Sequence, residues 1–179
     1  MRDDQVPGNS MPALNLPPEV EAVIRGFYTC EFTTVNRGGQ PMTWPSVPYF
    51  NVPEGRIVCA VSIAFPVKAF NARRHRQVSL LYSDPTGSGL THPPAVLVQG
   101  DADVTEILDY TPDIIGLFKT VSTRQPDSRR FTNNRIVRRL FIWYLFQRIS
   151  LTVTPRRVLV WPDGDFSRMP MEIEVGRVG

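Results

Sequence analysis

Seventeen prolines punctuate this chain, several of them clustered, and they argue against an architecture of long helices. Each removes a backbone donor and fixes φ, so a helix or a central strand cannot run through it unchanged. The segments between them are short. Thr29 to Val35 alternates in period two with β-branched residues, and Asn36-Arg37-Gly38-Gly39 then forms a hairpin turn. Gln40 to Phe50 follows as a strand interrupted by Pro41, Pro45 and Pro48, which puts it at an edge or at bulges and leaves backbone groups free for a ligand. Further strands are expected over Arg56 to Ser62, Val78 to Ser83 and Ala95 to Val104. Gly100 within the last of these signals a bulge or a close backbone approach. Leu151 to Val153 and Val158 to Trp161 read as closing strands split at Pro155, before an irregular tail.

Helical periodicity is confined to a few places. Pro17-Pro18-Glu19 opens a helix to about Phe27, and Thr111-Pro112-Asp113 opens another that buries Ile114, Ile115, Leu117, Phe118 and Val121. A polar segment over 122–133 leads to a third, Asn134 to Arg148, rich in arginine and aromatic residues. Residues 1–16 read as a flexible arm. Residues 17–179 read as a single domain, mainly β, a small β-barrel with peripheral helices and a helical insertion over about 111–148. At 42% hydrophobic and 21% charged residues the composition is that of an ordinary globular protein. No apolar run is long enough to span a bilayer and the start lacks the apolar core of a signal peptide, so no membrane association and a cytoplasmic location are expected.

The stretch Phe65 to Leu81 organises the functional reading. Pro66 starts a short helix carrying Lys68, Asn71, Arg73 and Arg74, set between two strands. Basic residues at a helix N-terminus suit a phosphate, although a solvated basic face on a crossover helix has the same pattern. Successive helical residues turn by about 100°. Asn71 therefore lies roughly 60° from Lys68 and Arg74 about 120° away, so Lys68 and Asn71 can share a ligand while the arginines rank behind them. Eighteen arginines stand against two lysines, yet the net charge is only +3, too small an excess to argue for nucleic acid. Trp44 and Ser46 share one side of the interrupted strand, a flat aromatic beside a hydroxyl, though core packing explains many single tryptophans.

No metal-ligand spacing exists among His75, His92, Cys30 and Cys59, and the cysteines read as small buried hydrophobes. No nucleophile triad, Walker-type loop or dinucleotide fingerprint occurs. An enzyme of this composition would rely on a bound cofactor for its hard chemistry. A flavin-type ligand needs an anion site, a flat apolar slot and backbone donors. The basic helix, the Trp44 strand and the Ser62-Ile63-Ala64 segment offer those three.

The ordered set Glu31-Phe32-Thr33-Thr34-Val35-Asn36-Arg37-Gly38-Gly39-Gln40-Pro41, Lys68 to Arg74, Val78-Ser79-Leu80-Leu81, Val98-Gln99-Gly100-Asp101-Ala102 and Pro155 to Trp161 resembles the pyridoxamine 5′-phosphate oxidase-like split-barrel family, over most of residues 19–165. That family includes the flavin- and deazaflavin-dependent oxidoreductases of actinobacteria. The resemblance implies a six-stranded antiparallel split barrel of the FMN-binding type and a homodimer with the cofactor between subunits. It implies FMN or the deazaflavin coenzyme F-420 as cofactor, with hydride transfer to or from a small organic substrate. A non-catalytic binder or carrier of flavin, deazaflavin or haem is the alternative.

Lys68 matches the lysine that contacts the cofactor phosphate, and Asn71 and Arg74 match polar positions of the same helix, with Arg73 beside them. Trp44, Pro45 and Ser46 match the strand lining the ring, and Ser62, Ile63 and Ala64 the segment after the third strand. Gln99 and Trp161 match positions that approach the cofactor from the other subunit. The chain departs from the family where His75-Arg76-Gln77 replaces the usual proline before the fourth strand. It departs again in the long Asp84 to Pro94 loop and the bulky aromatic stretch that ends at Arg148.

Overall fold

The architecture is taken from a computed structural model, which describes residues 14–108, 112–124 and 148–177. In chain order the elements are β1 (Leu14–Asn15), α1 (Pro18–Gly26), β2 (Cys30–Val35), β3 (Pro41–Ser46), β4 (Tyr49–Asn51), β5 (Arg56–Ser62), α2 (Val67–Arg74), β6 (Gln77–Tyr82), β7 (Ala95–Leu108), α3 (Pro112–Arg124), β8 (Arg148–Trp161), β9 (Met171–Ile173) and β10 (Gly176–Arg177). The helix expected over Asn134 to Arg148 falls almost wholly outside the described residues, and Arg148 itself begins a strand.

The main sheet runs β3-β2-β6-β7-β8-β5-β4, with antiparallel pairing throughout and β9 added on β8. Its two outermost strands, β3 and β4, are separated in sequence only by Val47 and Pro48. The three steps from Ser46 to Tyr49 reach no more than about 11 Å. The sheet must therefore curl until its edges meet, which makes a split barrel. The expected strand Gln40 to Phe50 is thus two strands, because Pro48 cannot donate to a ladder and turns the chain from one half of the barrel to the other. Counted as one interrupted strand, residues 41–51 bring the ring to six members.

Two further expectations change. β8 is continuous through Pro155, because the ladder skips a residue there: Gln99 faces Arg157 and Gly100 faces Pro155, so Arg156 is the extra residue of a bulge. The tail is not irregular throughout. Residues 171–173 pair with β8, and 176–177 pair with β1, which draws the end of the N-terminal arm into a strand.

The core fills the concave side of the sheet. Phe32, Leu80, Tyr82, Val96, Val98, Leu151, Val153 and Val158 are fully buried, and α1 closes one end with Val20, Val23, Ile24 and Phe27. The Phe27 ring meets Tyr82 edge-on at 6.5 Å. α2 contributes only the small Ala69 and Ala72 to this apolar core, so the helix lies close to the sheet. Among the described residues, no helix is long and apolar enough to cross a membrane.

Candidate functional site

The Pro66 carbonyl accepts the Phe70 N–H at 3.0 Å, so α2 begins directly after a turn in which Phe65 N–H bonds to the Ser62 carbonyl. Eight residues give two helical turns, which pack against β2, β7 and β8, with β2 paired to the edge strand β3. Register fixes what the helix meets. Ser46 pairs with Cys30, Trp44 with Phe32 and Met42 with Thr34. Opposed residues of a ladder point to the same side, and Cys30, Phe32 and Thr34 are buried on the concave side. Trp44 and Ser46 therefore extend that inner surface onto the edge strand, beneath α2.

Lys68 reaches this surface. Its Nζ donates to Ser46 Oγ at 2.5 Å and lies 5.7 Å from the centroid of the Phe32 ring and 6.0 Å from that of Trp44. The Ser46 hydroxyl in turn donates to the Trp44 carbonyl at 3.5 Å. Burial lowers the Lys68 pKa below the usual lysine range, partly opposed by the neighbouring Cys59 and Cys30. Those two thiols are free and buried below it. The hydrogen bond between the two thiols, followed by burial, pushes the Cys30 thiol well above its ordinary value. A thiol held protonated in this way packs and does not react.

Asn71 projects from the same side of α2 as Lys68, but it is 3% exposed and its Nδ2 donates to Thr34 Oγ1 at 3.1 Å. Its amide ties the helix to β2. Asn71→Ala leaves the buried Thr34 hydroxyl without this partner and is expected to lower the unfolding free energy by about 1–3 kcal/mol in urea titrations. Arg73 turns to the opposite side, onto the Thr105 carbonyl at 2.6 Å and Glu106 at 3.3 Å, and Arg74 is exposed. The basic cluster thus divides: one lysine points inward over aromatic rings, and the arginines point out.

The other sequence-derived positions separate into two groups. Ser62, Ile63 and Ala64 form the turn that delivers α2, where Ser62 Oγ accepts the Ala64 N–H at 3.3 Å, and Pro45 lies exposed on the edge strand between Trp44 and Ser46. Gln99 and Trp161 are elsewhere. Gln99 pairs with Ser79 and Arg157, and Trp161 with Ala95, one residue out of phase with the buried Val98 and Val160. They occupy the convex face of the sheet, away from Lys68 within one chain, and Trp161 packs there against Phe166 at 5.2 Å. Sequence reasoning missed the Phe32 ring beneath Lys68. The strand register, which places Phe32 opposite Trp44, was the signal that located it.

No protein-family model matches the sequence, and no curated protein matches it. Solved structures do. A conserved hypothetical protein from Mycobacterium tuberculosis superposes with a TM-score of 0.57 at 18% identity, covering 90% of this chain and 94% of that one. A protein from Clostridium acetobutylicum related to general stress protein 26, of the pyridoxinephosphate oxidase family, gives 0.54 at 6% identity, covering 88% and 92%. A haem-binding protein from Mycobacterium smegmatis gives 0.55 at 12% identity, covering 89% of this chain and 59% of that one. These likenesses show the fold, a split barrel of the pyridoxamine 5′-phosphate oxidase-like kind.

Proposed function

We propose that this chain binds FMN or the deazaflavin coenzyme F-420 at the Lys68 shelf and serves as an oxidoreductase for a small organic substrate. The observation that carries the reading is Lys68 itself. It is a cation drawn out of water over two aromatic rings, with a single neutral acceptor, Ser46, and no carboxylate paired to it among the described residues. An ammonium has three donors, so the arrangement suits a phosphate that restores the missing countercharge. Trp44 offers a flat surface beside it, and β3 is paired on one side only among the described residues.

When bound, the flavin or deazaflavin ring supplies two-electron hydride chemistry. The chain's own share is to hold the phosphate at Lys68 Nζ, to flank the ring with Trp44 and the 62–64 turn, and to keep water from it.

The reading includes a homodimer. Met42, Phe65, Val67 and Phe70 are exposed apolar side chains on β3 and around α2, Phe65 at 78%, and contiguous apolar surface of this kind marks an interface. In a dimer, Gln99 and Trp161 of one copy would serve the site of the other. Sedimentation equilibrium is expected to give twice the chain mass, and Phe70→Glu on this surface is expected to shift the protein toward the monomer.

The test of function is reconstitution followed by turnover. Stoichiometric uptake of one of the two cofactors, and reoxidation of the reduced complex by an organic acceptor faster than free cofactor reacts, is the expected result. A carrier of flavin or haem without turnover is the competing reading, and it draws on the haem-binding structural neighbour. A haem Soret band with no flavin uptake would favour it.

A further inference from the structure

A cavity of about 340 Å³ shares no lining residue with the Lys68 shelf: none belongs to α2, β3 or the 62–64 turn. It is formed where the long Asp84 to Pro94 loop meets the turn after β8. Phe27, Leu90, Pro93 and Pro94 give it apolar walls, and Ser83, His92 and Asp163 supply polar groups. Among the described residues two non-glycine residues have a left-handed backbone, His92 with φ 46° and Asp163 with φ 55°. Both line this one cavity. Left-handed non-glycine backbones concentrate where a fold positions groups for a ligand, although Asp and His adopt them more readily than most residues.

The lining sets the charge and polarity of the occupant. Prolines carry a carbonyl and no N–H, and Pro85, Pro93 and Pro94 all contribute here. The Leu90 N–H is already given to Ser88 Oγ at 3.2 Å, and the Ser83 proton to Glu31 Oε1 at 3.1 Å, so Ser83 presents acceptor lone pairs. Behind it, Glu31 Oε2 is buried and has no partner. No basic side chain among the described residues pairs with Asp163, and neither Lys nor Arg lines the cavity. Asp163 at the exposed rim gives the site negative charge beside these acceptors, with His92 as the remaining polar side chain.

We propose that this cavity binds a small organic ammonium ion with an apolar group, the ammonium on Asp163 and the apolar part between Leu90, Phe27 and the proline pair. The 340 Å³ volume lies at the lower end of small-molecule sites. The proposal does not depend on a cofactor at Lys68.

Benzylammonium is the probe, with benzoate and benzyl alcohol as size-matched controls, followed by two-dimensional NMR of the full chain. Saturable shifts confined to the region of Phe27 and residues 83–95 and 161–165, with benzylammonium at least tenfold tighter than either control, are expected. Asp163→Asn should weaken benzylammonium about tenfold or more. Asparagine tolerates the left-handed backbone as aspartate does, so the variant removes charge without forcing the turn, and an unchanged spectrum elsewhere verifies the fold. Leu90→Ala reports the apolar slot and should weaken all three probes together. Equal binding of benzoate, no saturable shift in this region, or undiminished binding by Asp163→Asn would each overturn the proposal.

Discussion

Replacing Lys68 with methionine is expected to weaken binding of the phosphorylated cofactor by a factor between about ten and a hundred and fifty, while the protein without cofactor stays as stable or becomes more so. The first half follows from losing a charge-assisted contact worth roughly 1.5–3 kcal/mol. The second follows from the cost Lys68 imposes. Its ammonium is partly desolvated over Phe32 and Trp44 and gains only one neutral hydrogen bond, to Ser46, whereas methionine fills similar volume and carries no charge.

The pH dependence has a definite sign. Burial depresses the folded-state pKa of Lys68 below its unfolded value, so within that window the unfolded chain holds a proton that the folded one has released. Stability contributed by this residue therefore rises as pH increases through the window, and Lys68→Met should lack that rise in alkaline denaturation curves. Cofactor affinity moves the other way. It should fall as Lys68 loses its proton, beginning at lower pH than for an ordinary exposed lysine. Affinity that is flat across the alkaline range would separate Lys68 from the phosphate.

Gly100→Ala should be among the most damaging single-methyl changes in the barrel. A Cβ at position 100 would collide with the Thr154 carbonyl oxygen and stand 3.0 Å from its carbon and 3.1 Å from Pro155 Cα, all backbone atoms. Backbone on a paired strand cannot rotate aside as a side chain can. The collision also falls where β7 and β8 change register, at the bulge that lets Pro155 sit in a continuous strand. Overpacking of this kind costs about 3 kcal/mol at its upper range. For a chain of this length that corresponds to a fall in melting temperature on the order of 10 °C, readable by calorimetry. A loss below about 1 kcal/mol would mean that the bulge relaxes and that the tight approach is not required.

The parts of the fold visible in the sequence were those fixed by neighbours along the chain. The turn at 36–39 is one: Asn36 Oδ1 accepts the N–H groups of Gly38 and Gln40 at 2.8 and 3.0 Å, and Gly39 takes φ 79°. The short helix ending at Arg74 and the alternation of β2 are others. What escaped depends on residues far apart. Three prolines marked 40–50 as interrupted, but that the break joins the two edges of the sheet is a property of the whole ring. Pro155 argued for two strands until Gly100, more than fifty positions earlier, supplied the bulge that accommodates it.

The same holds at the site. Helical geometry placed Asn71 beside Lys68, and the two do share a side of α2. What separates them is Thr34, 37 residues away in sequence, whose hydroxyl engages the Asn71 amide, while Lys68 reaches Ser46 instead. Gln99 and Trp161 face away from Lys68 because strand parity, invisible without the register, sends them to the convex side. The left-handed backbones of His92 and Asp163 leave no trace in composition at all.

The most direct test sets four titrations against one another: the wild-type chain and Lys68→Met, each with a phosphorylated cofactor and its phosphate-free counterpart. FMN is paired with riboflavin, and the deazaflavin coenzyme with its phosphate-free precursor. Quenching of tryptophan fluorescence reads binding, since Trp44 lies at the shelf. The expected result is that wild type prefers one phosphorylated ligand over its counterpart by about tenfold or more, and that Lys68→Met abolishes the preference. A phosphate preference that survives intact in Lys68→Met, or no binding of either cofactor by the wild-type chain, would contradict the assignment of this shelf as a cofactor phosphate site.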